Sequence, residues 1–110
     1  MTVVDENDQV ATVGTEHTLV EDSPAEGKTY VLMVDKSEMV DGDTLELRVY
    51  TKIRVGDAYQ VAYGPKTYDN AQAEPNAYSV PVPCDVTYKA TLKQTAGAAG
   101  RTFPWKVVTL

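Results

Sequence analysis

The chain of 110 residues holds one cysteine, one histidine, one tryptophan and one phenylalanine. A single cysteine, Cys84, excludes an intrachain disulfide. Stability must therefore come from packing or assembly, in keeping with a reducing site of synthesis. Cys84 lies between Pro83 and Asp85 with no histidine near it in sequence, and reads as a small strand-edge residue, not a nucleophile. His17 stands in Thr15-Glu16-His17-Thr18-Leu19. On a strand its neighbour Glu16 points to the opposite face, so the two do not form a dyad.

Other absences remove whole classes of function. No apolar run approaches the ~18–20 residues that span a bilayer, and no basic-then-apolar leader opens the sequence. The expectation is a soluble chain with no membrane partner. There is no basic excess: ten Lys and Arg face sixteen Asp and Glu, a net charge of −6. Nucleic acid is therefore not an expected partner, since its backbone needs clustered cations. Gly97-Ala98-Ala99-Gly100 lacks the Lys-Ser/Thr of a phosphate loop and reads as a strand-to-strand hairpin. The acids Asp35, Glu38, Asp41 and Asp43 crowd together, but their spacing does not match a twelve-residue calcium loop. No pair of carboxylates marks glycosidase chemistry. No catalytic, cofactor-binding or metal-binding residue is assigned, and the chain is not read as an enzyme.

What is present is a period of two. After the turn signal Asp41-Gly42, the residues Leu45, Leu47, Val49, Thr51 and Ile53 alternate with Glu46, Arg48, Tyr50, Lys52 and Arg54. That pattern marks a strand with one buried face. Asp85–Thr95 alternates in the same way, and Arg101–Leu110 carries Phe103, Trp105 and Val107 on one face. Thr29–Asp35 is a continuous apolar run, expected to be covered on both sides. Val10–Val20 reads as a strand with Gly14 as a bulge or break, and Lys36–Val40 as one helical turn with Met39 and Val40 plugging the core. Ala58–Tyr63 reads as a strand that Gly64-Pro65 interrupts. Pro81 and Pro83 relegate Tyr78–Pro83 to an edge or crossing segment, and Pro104 suggests an edge or bulge. Leu45, Leu47, Val49, Leu92, Phe103 and Trp105 are the expected core.

The expected fold is thus all-β, a β-sandwich or jelly-roll-like barrel of about eight strands. Residues 1–9 form a flexible acidic arm or frayed edge strand, and residues 10–110 a single domain. Charge is uneven: residues 1–43 hold eleven acids against two lysines, −9, while residues 44–110 hold eight basic residues against five acids, +3. Seven tyrosines are more than expected beside one Trp and one Phe. They alternate within strands, so most are expected to pack within or between sheets and not to form a sugar platform.

The order of segments carries a resemblance. It runs Gly14-Thr-Glu-His-Thr-Leu19, Tyr30-Val-Leu-Met-Val-Asp35 and Met39-Val-Asp-Gly-Asp-Thr-Leu-Glu-Leu-Arg48. It continues Tyr78-Ser-Val-Pro-Val-Pro83 and Ala90-Thr-Leu-Lys-Gln-Thr-Ala-Gly97, ending Gly100-Arg-Thr-Phe-Pro-Trp105. Over residues 14–110 this resembles the small virion proteins encoded near the capsid genes of tailed bacteriophages. The resemblance implies a cement or decoration protein of the head, located in the virion and assembled in the host cytoplasm. Its partners would be the major capsid protein and further copies of itself, as a homo-dimer or homo-trimer. It implies no catalytic residue and no cofactor. The alternative on the same architecture is a carbohydrate-binding or receptor-binding module.

Overall fold

The computed structural model describes residues 1–110, and every regular element in it is a strand. Nine strands follow in order: β1 Thr2–Val10, β2 Glu16–Asp22, β3 Lys28–Asp35, β4 Thr44–Thr51 and β5 Gln60–Asp69, then β6 Asn76–Tyr78, β7 Val82–Cys84, β8 Tyr88–Ala96 and β9 Thr102–Thr109. One sheet has the order β1-β9-β3-β6, with β7 also on β3; the other has the order β2-β8-β4-β5. All pairings are antiparallel. The chain changes sheet at almost every connection, which makes this a jelly roll with β7 as a short addition.

The period-two segments keep their pattern within the strands, but β4 ends at Thr51, so Ile53, expected on its buried face, lies beyond the strand and is exposed. In β4, Leu45, Leu47 and Val49 are buried while the residues between them are half exposed. Phe103, Trp105 and Val107 of β9 and Tyr30, Leu32 and Val34 of β3 meet them across the sandwich, while Tyr88, Ala90 and Leu92 of β8 line the same inner face beside β4. All six expected core residues are buried. The ring of Tyr30 stacks on Tyr88 at 4.2 Å, joining the two sheets.

Several segments differ from the sequence reading, each for a local reason. Residues 1–9 take the second of the two readings, an edge strand and not a flexible arm: Thr2 to Val10 pair along β9, from Thr2↔Thr109 to Val10↔Thr102. Polar composition did not prevent pairing, because β1 is an edge strand whose outer side faces water. Val10–Val20 is not one strand, since the chain turns between sheets at Gly14, whose φ is +89°. Lys36–Val40 forms turns without a helix; Met39 is buried and Val40 is exposed. β5 runs through Gly64-Pro65 as one bulged strand. A side chain at Gly64 would run into the carbonyl of Leu47, so only glycine lets the bulge approach β4. Pro104 lies in an interior strand, not at an edge. It is tolerated because the ladder to β3 stops at Val34↔Trp105, one residue short of it.

One end of the sandwich is tied by buried polar groups. Asp43 is 1% exposed and accepts hydrogen bonds from Arg101 Nε at 2.8 Å and from the Val40 N–H at 3.0 Å. Gln94, fully buried, donates to the carbonyls of Ala96 and Ala99 and accepts from the Arg101 N–H. The Gln94 carbonyl takes the Gly14 N–H at 2.8 Å, and the Asp43 carbonyl takes the Asn70 N–H at 2.8 Å. Burial pushes the Asp43 carboxyl up, but the Val40 N–H and the Arg101 guanidinium outweigh it, and the group lies below its ordinary value.

Two substitutions test this account. Trp105→Ala should cost about 3–5 kcal/mol in denaturant unfolding, because an enclosed ring leaves a cavity; an unchanged midpoint would place that ring outside the core. Asp43→Ala should cost about 2–3 kcal/mol, below the cost of breaking a fully buried pair because Arg101 keeps a side toward solvent. A carboxyl depressed on folding adds stability above the ordinary carboxylate range, near pH 4. That contribution is lost as pH falls further through the folded-state value. The acid limb of the stability curve should therefore flatten in Asp43→Asn.

Candidate functional site

The groups examined for chemistry in the sequence are engaged in structure. His17 Nε2 accepts the Thr12 N–H at 3.0 Å and so braces the β1–β2 turn. Cys84 is buried, and burial pushes its thiol up to about 11, leaving it protonated at neutral pH. The four clustered acids do not converge. Asp43 faces Arg101, Asp41 takes the Ala71 N–H, Asp35 takes the Ser37 N–H and Glu38 takes the Thr102 N–H. No group of three or more His, Cys, Asp and Glu side chains is placed to hold a metal ion.

The tyrosines divide by position. Tyr30 and Tyr88 are core, while Tyr63 and Tyr68 pack against its rim. Tyr50 and Tyr59 lie on the outer face of the β2-β8-β4-β5 sheet. The two rings meet edge to face at 6.3 Å. Lys89 Nζ sits 4.8 Å from the Tyr50 ring and 4.4 Å from the Tyr59 ring. Tyr50 donates to Glu16 at 2.7 Å, Thr91 donates to the same oxygen at 2.6 Å, and Tyr59 donates to Glu21. Each hydroxyl and ammonium here has a partner within the layer, so the face is saturated and offers no free aromatic row.

The opposite face is different. Cross-strand register sets Glu6, Lys106, Met33 and Tyr78 in one row across β1, β9, β3 and β6. Asp8 and Pro104 begin the next row, which Asp35 and Asn76 complete. The β9–β3 ladder ends beside Pro104, and the strands part there. The result is an open trough of about 510 Å³. Its floor is apolar: Met33, Pro104 and the edge of Trp105. Its walls carry Glu6, Asp8 and Asp35 against Lys106, which reaches only Glu6, at 3.4 Å. Tyr78 stands at one rim, 59% exposed.

Three features escaped the sequence reading. Lys36 is 3% exposed, with Nζ 3.7 Å above the Tyr68 ring and 3.0 Å from Gln72 Oε1. Burial, aided by Lys66, lowers its pKa. Gln94 and Asp43 are buried polar groups, Gln94 on the buried side of the β8 alternation and Asp43 in the turn before β4. The third is the β4–β5 connection, where Val55 is 87% exposed and Ile53, expected on the buried face of β4, is 81% exposed. Two large apolar residues beside Gly56-Asp57 were the available signal: apolar groups in a turn have no core to face.

Comparison with known proteins adds a fold likeness. No protein-family model matches the sequence, and no curated protein sequence matches it. A chain in the structure of infectious bursal disease virus Gt strain superposes with a TM-score of 0.50 at 12% identity. The match covers 98% of this chain and 30% of that one. A chain from the Gx strain of the same virus gives a TM-score of 0.44 at 14% identity, over 93% and 27%.

The tyrosine hydroxyls supply a pH test. Burial raises Tyr30 and Tyr88 strongly. Burial together with the Glu21 hydrogen bond pushes Tyr59 up to about 12. The unfolded chain ionises its tyrosines near pH 10. Stability held by the neutral folded forms is therefore full below pH 10 and falls as pH rises above it. Tyrosinate absorbance should climb together with the loss of near-ultraviolet circular dichroism. A full rise near pH 10 with the fold intact would contradict these placements. Across these tests the likeness to known proteins remains one of fold.

Proposed function

We propose that this chain is a structural component of a virus particle, a cement or decoration protein that binds the capsid surface. On this reading it is not an enzyme. The observation that carries it is a contrast between two kinds of group. The side chains able to do chemistry are spent on internal bonds, while apolar groups at Ile53, Val55 and the trough are left for contact with something else. Jelly rolls are a common capsid architecture, and the fold likeness to a virus chain supports that setting. That virus is not a tailed phage, so the finer attribution to a phage head rests on the sequence resemblance. The partners on this reading are the major capsid protein and further copies of the chain, as a dimer or trimer, and the location is the virion.

Contacts of modest strength suffice when many copies bind one shell. The acidic first part of the chain, −9 over residues 1–43, steers docking onto a positive surface, an effect that salt screens over ~8–10 Å. Removing residues 1–9 cannot test this, because it would strip a paired strand from the sheet. Electron microscopy of purified particles can. Density for the sandwich should decorate the outside of the head, with occupancy falling as salt rises. Particles that lack the chain would overturn the proposal.

The exposed Tyr78 ring at the rim of the trough, which Asn76 and Asp8 also line, favours one second reading, binding of a neutral sugar there. Low-micromolar binding on a glycan array, lost in Tyr78→Ala, would establish that reading in place of the first.

A further inference from the structure

The four sheet edges are each closed to strand addition. β1 carries Asp5, Glu6 and Asp8 and a bulge between Val3 and Asp5; β2 carries Glu16, Glu21 and Asp22 and a bulge between Thr18 and Val20. β6 and β7 are three residues each, and Pro83 lies within β7. β5 is bulged twice against β4 and contains Pro65. Charges, bulges, prolines and short strands are the devices that keep edges from pairing. Self-association of this fold must therefore use a face or a loop.

One loop is built for it. Residues 52–59 join β4 to β5 beyond the last pair, Thr51↔Gln60. The Arg54 N–H donates to Asp57 Oδ2 at 3.1 Å, and the Asp57 N–H donates back to the Arg54 carbonyl at 3.1 Å. Gly56, with φ of +91°, completes the turn. The turn closes on its own hydrogen bonds and needs little further ordering on contact. It presents Ile53 and Val55 outward with Arg54 between them; the Arg54 guanidinium is 82% exposed and paired only at 3.5 Å with Asp57, a solvent-screened contact that a new partner can replace.

The trough is the counterpart of that tip. Its apolar floor of Met33 and Pro104 and the Tyr78 ring matches the two aliphatic side chains. Asp8 and Asp35 have no cation, because Lys106 is turned to Glu6. Tip and trough cannot meet within one molecule. The tip follows the C-terminal end of β4, while the trough lies beside the C-terminal end of β3, on the other sheet and at the other end of the sandwich. We propose that the Ile53-Arg54-Val55 tip of one copy seats in the trough of a second copy, with Arg54 between Asp8 and Asp35. This names the surfaces for the self-association in the proposed function. The contact is head to tail, so a trimer would close as a ring and an open rotation would give a chain.

Sedimentation velocity of the isolated protein over a concentration series tests the contact without any capsid, so its outcome is separate from that of particle binding. The wild type should associate. Arg54→Glu and Asp8→Arg should each weaken association by about tenfold or more, since a like charge then faces the partner. The double variant Arg54→Glu/Asp8→Arg should regain it. Both positions are exposed, and unchanged circular dichroism will show the fold intact. A wild type that stays monomeric throughout, single variants that associate normally, or a double variant without recovery would each overturn the contact.

Discussion

The pair formed by Asp43 and Arg101, with Gln94 beside it, is the constraint on which the rest of the molecule depends. Asp43 lies at the entry to β4 in one sheet, and Arg101 at the entry to β9 in the other. Their bond fixes the two sheets at one end, where four inter-strand connections crowd together. Gly97 is needed there because a side chain would collide with both Asp43 and Gln94. Its φ of +141° suits glycine in any case. The second carboxylate oxygen of Asp43 is buried without a hydrogen-bond partner. The node thus carries a desolvation cost, offset by a charge-assisted bond at 2.8 Å. A network of this kind favours one loop arrangement over its neighbours, where an apolar contact would tolerate several.

The strands were legible in the sequence wherever one face is buried and the other wet. β4, β8 and β9 follow from alternation alone, because Leu45, Leu47 and Val49 must share a side. The core residues followed with them. Composition misled at β1, where acidic residues suggested a loose arm: an edge strand needs partners on one side only, so Asp5 and Asp8 stay hydrated while the backbone pairs. Pro104 misled for a related reason, since the ladder on one side of β9 ends before it. The trough was not legible. It arises from register between strands far apart in sequence, Asp8 opposite Pro104 and Met33 opposite Tyr78. Nor was the burial of Asp43, which nothing local distinguishes from a solvated turn residue; Gln94 falls on the buried side of the β8 alternation, but its polarity masked that.

The architecture separates two tasks. One outer face is a closed layer of tyrosines, lysines and glutamates that satisfies itself. The edges are blunted, so strand addition, a natural expectation for a small sandwich, is closed off in this chain. Among the exposed apolar groups, those of the β4–β5 tip and of the trough lie toward opposite ends of a molecule about 40 Å long. A rigid clamp at one end and a preorganised tip at the other suit the repeating contact proposed for this chain.

Hydrogen exchange measured at low and high protein concentration tests this division most directly. The account expects the amides of Gly14, Asn70 and Arg101, all bonded at the clamp, to exchange slowly at both concentrations. It expects the amides of Ile53 and Val55 to exchange quickly in dilute solution and to slow as copies meet. A tip that exchanges equally fast at every concentration, or a clamp that exchanges as fast as the tip, would contradict it.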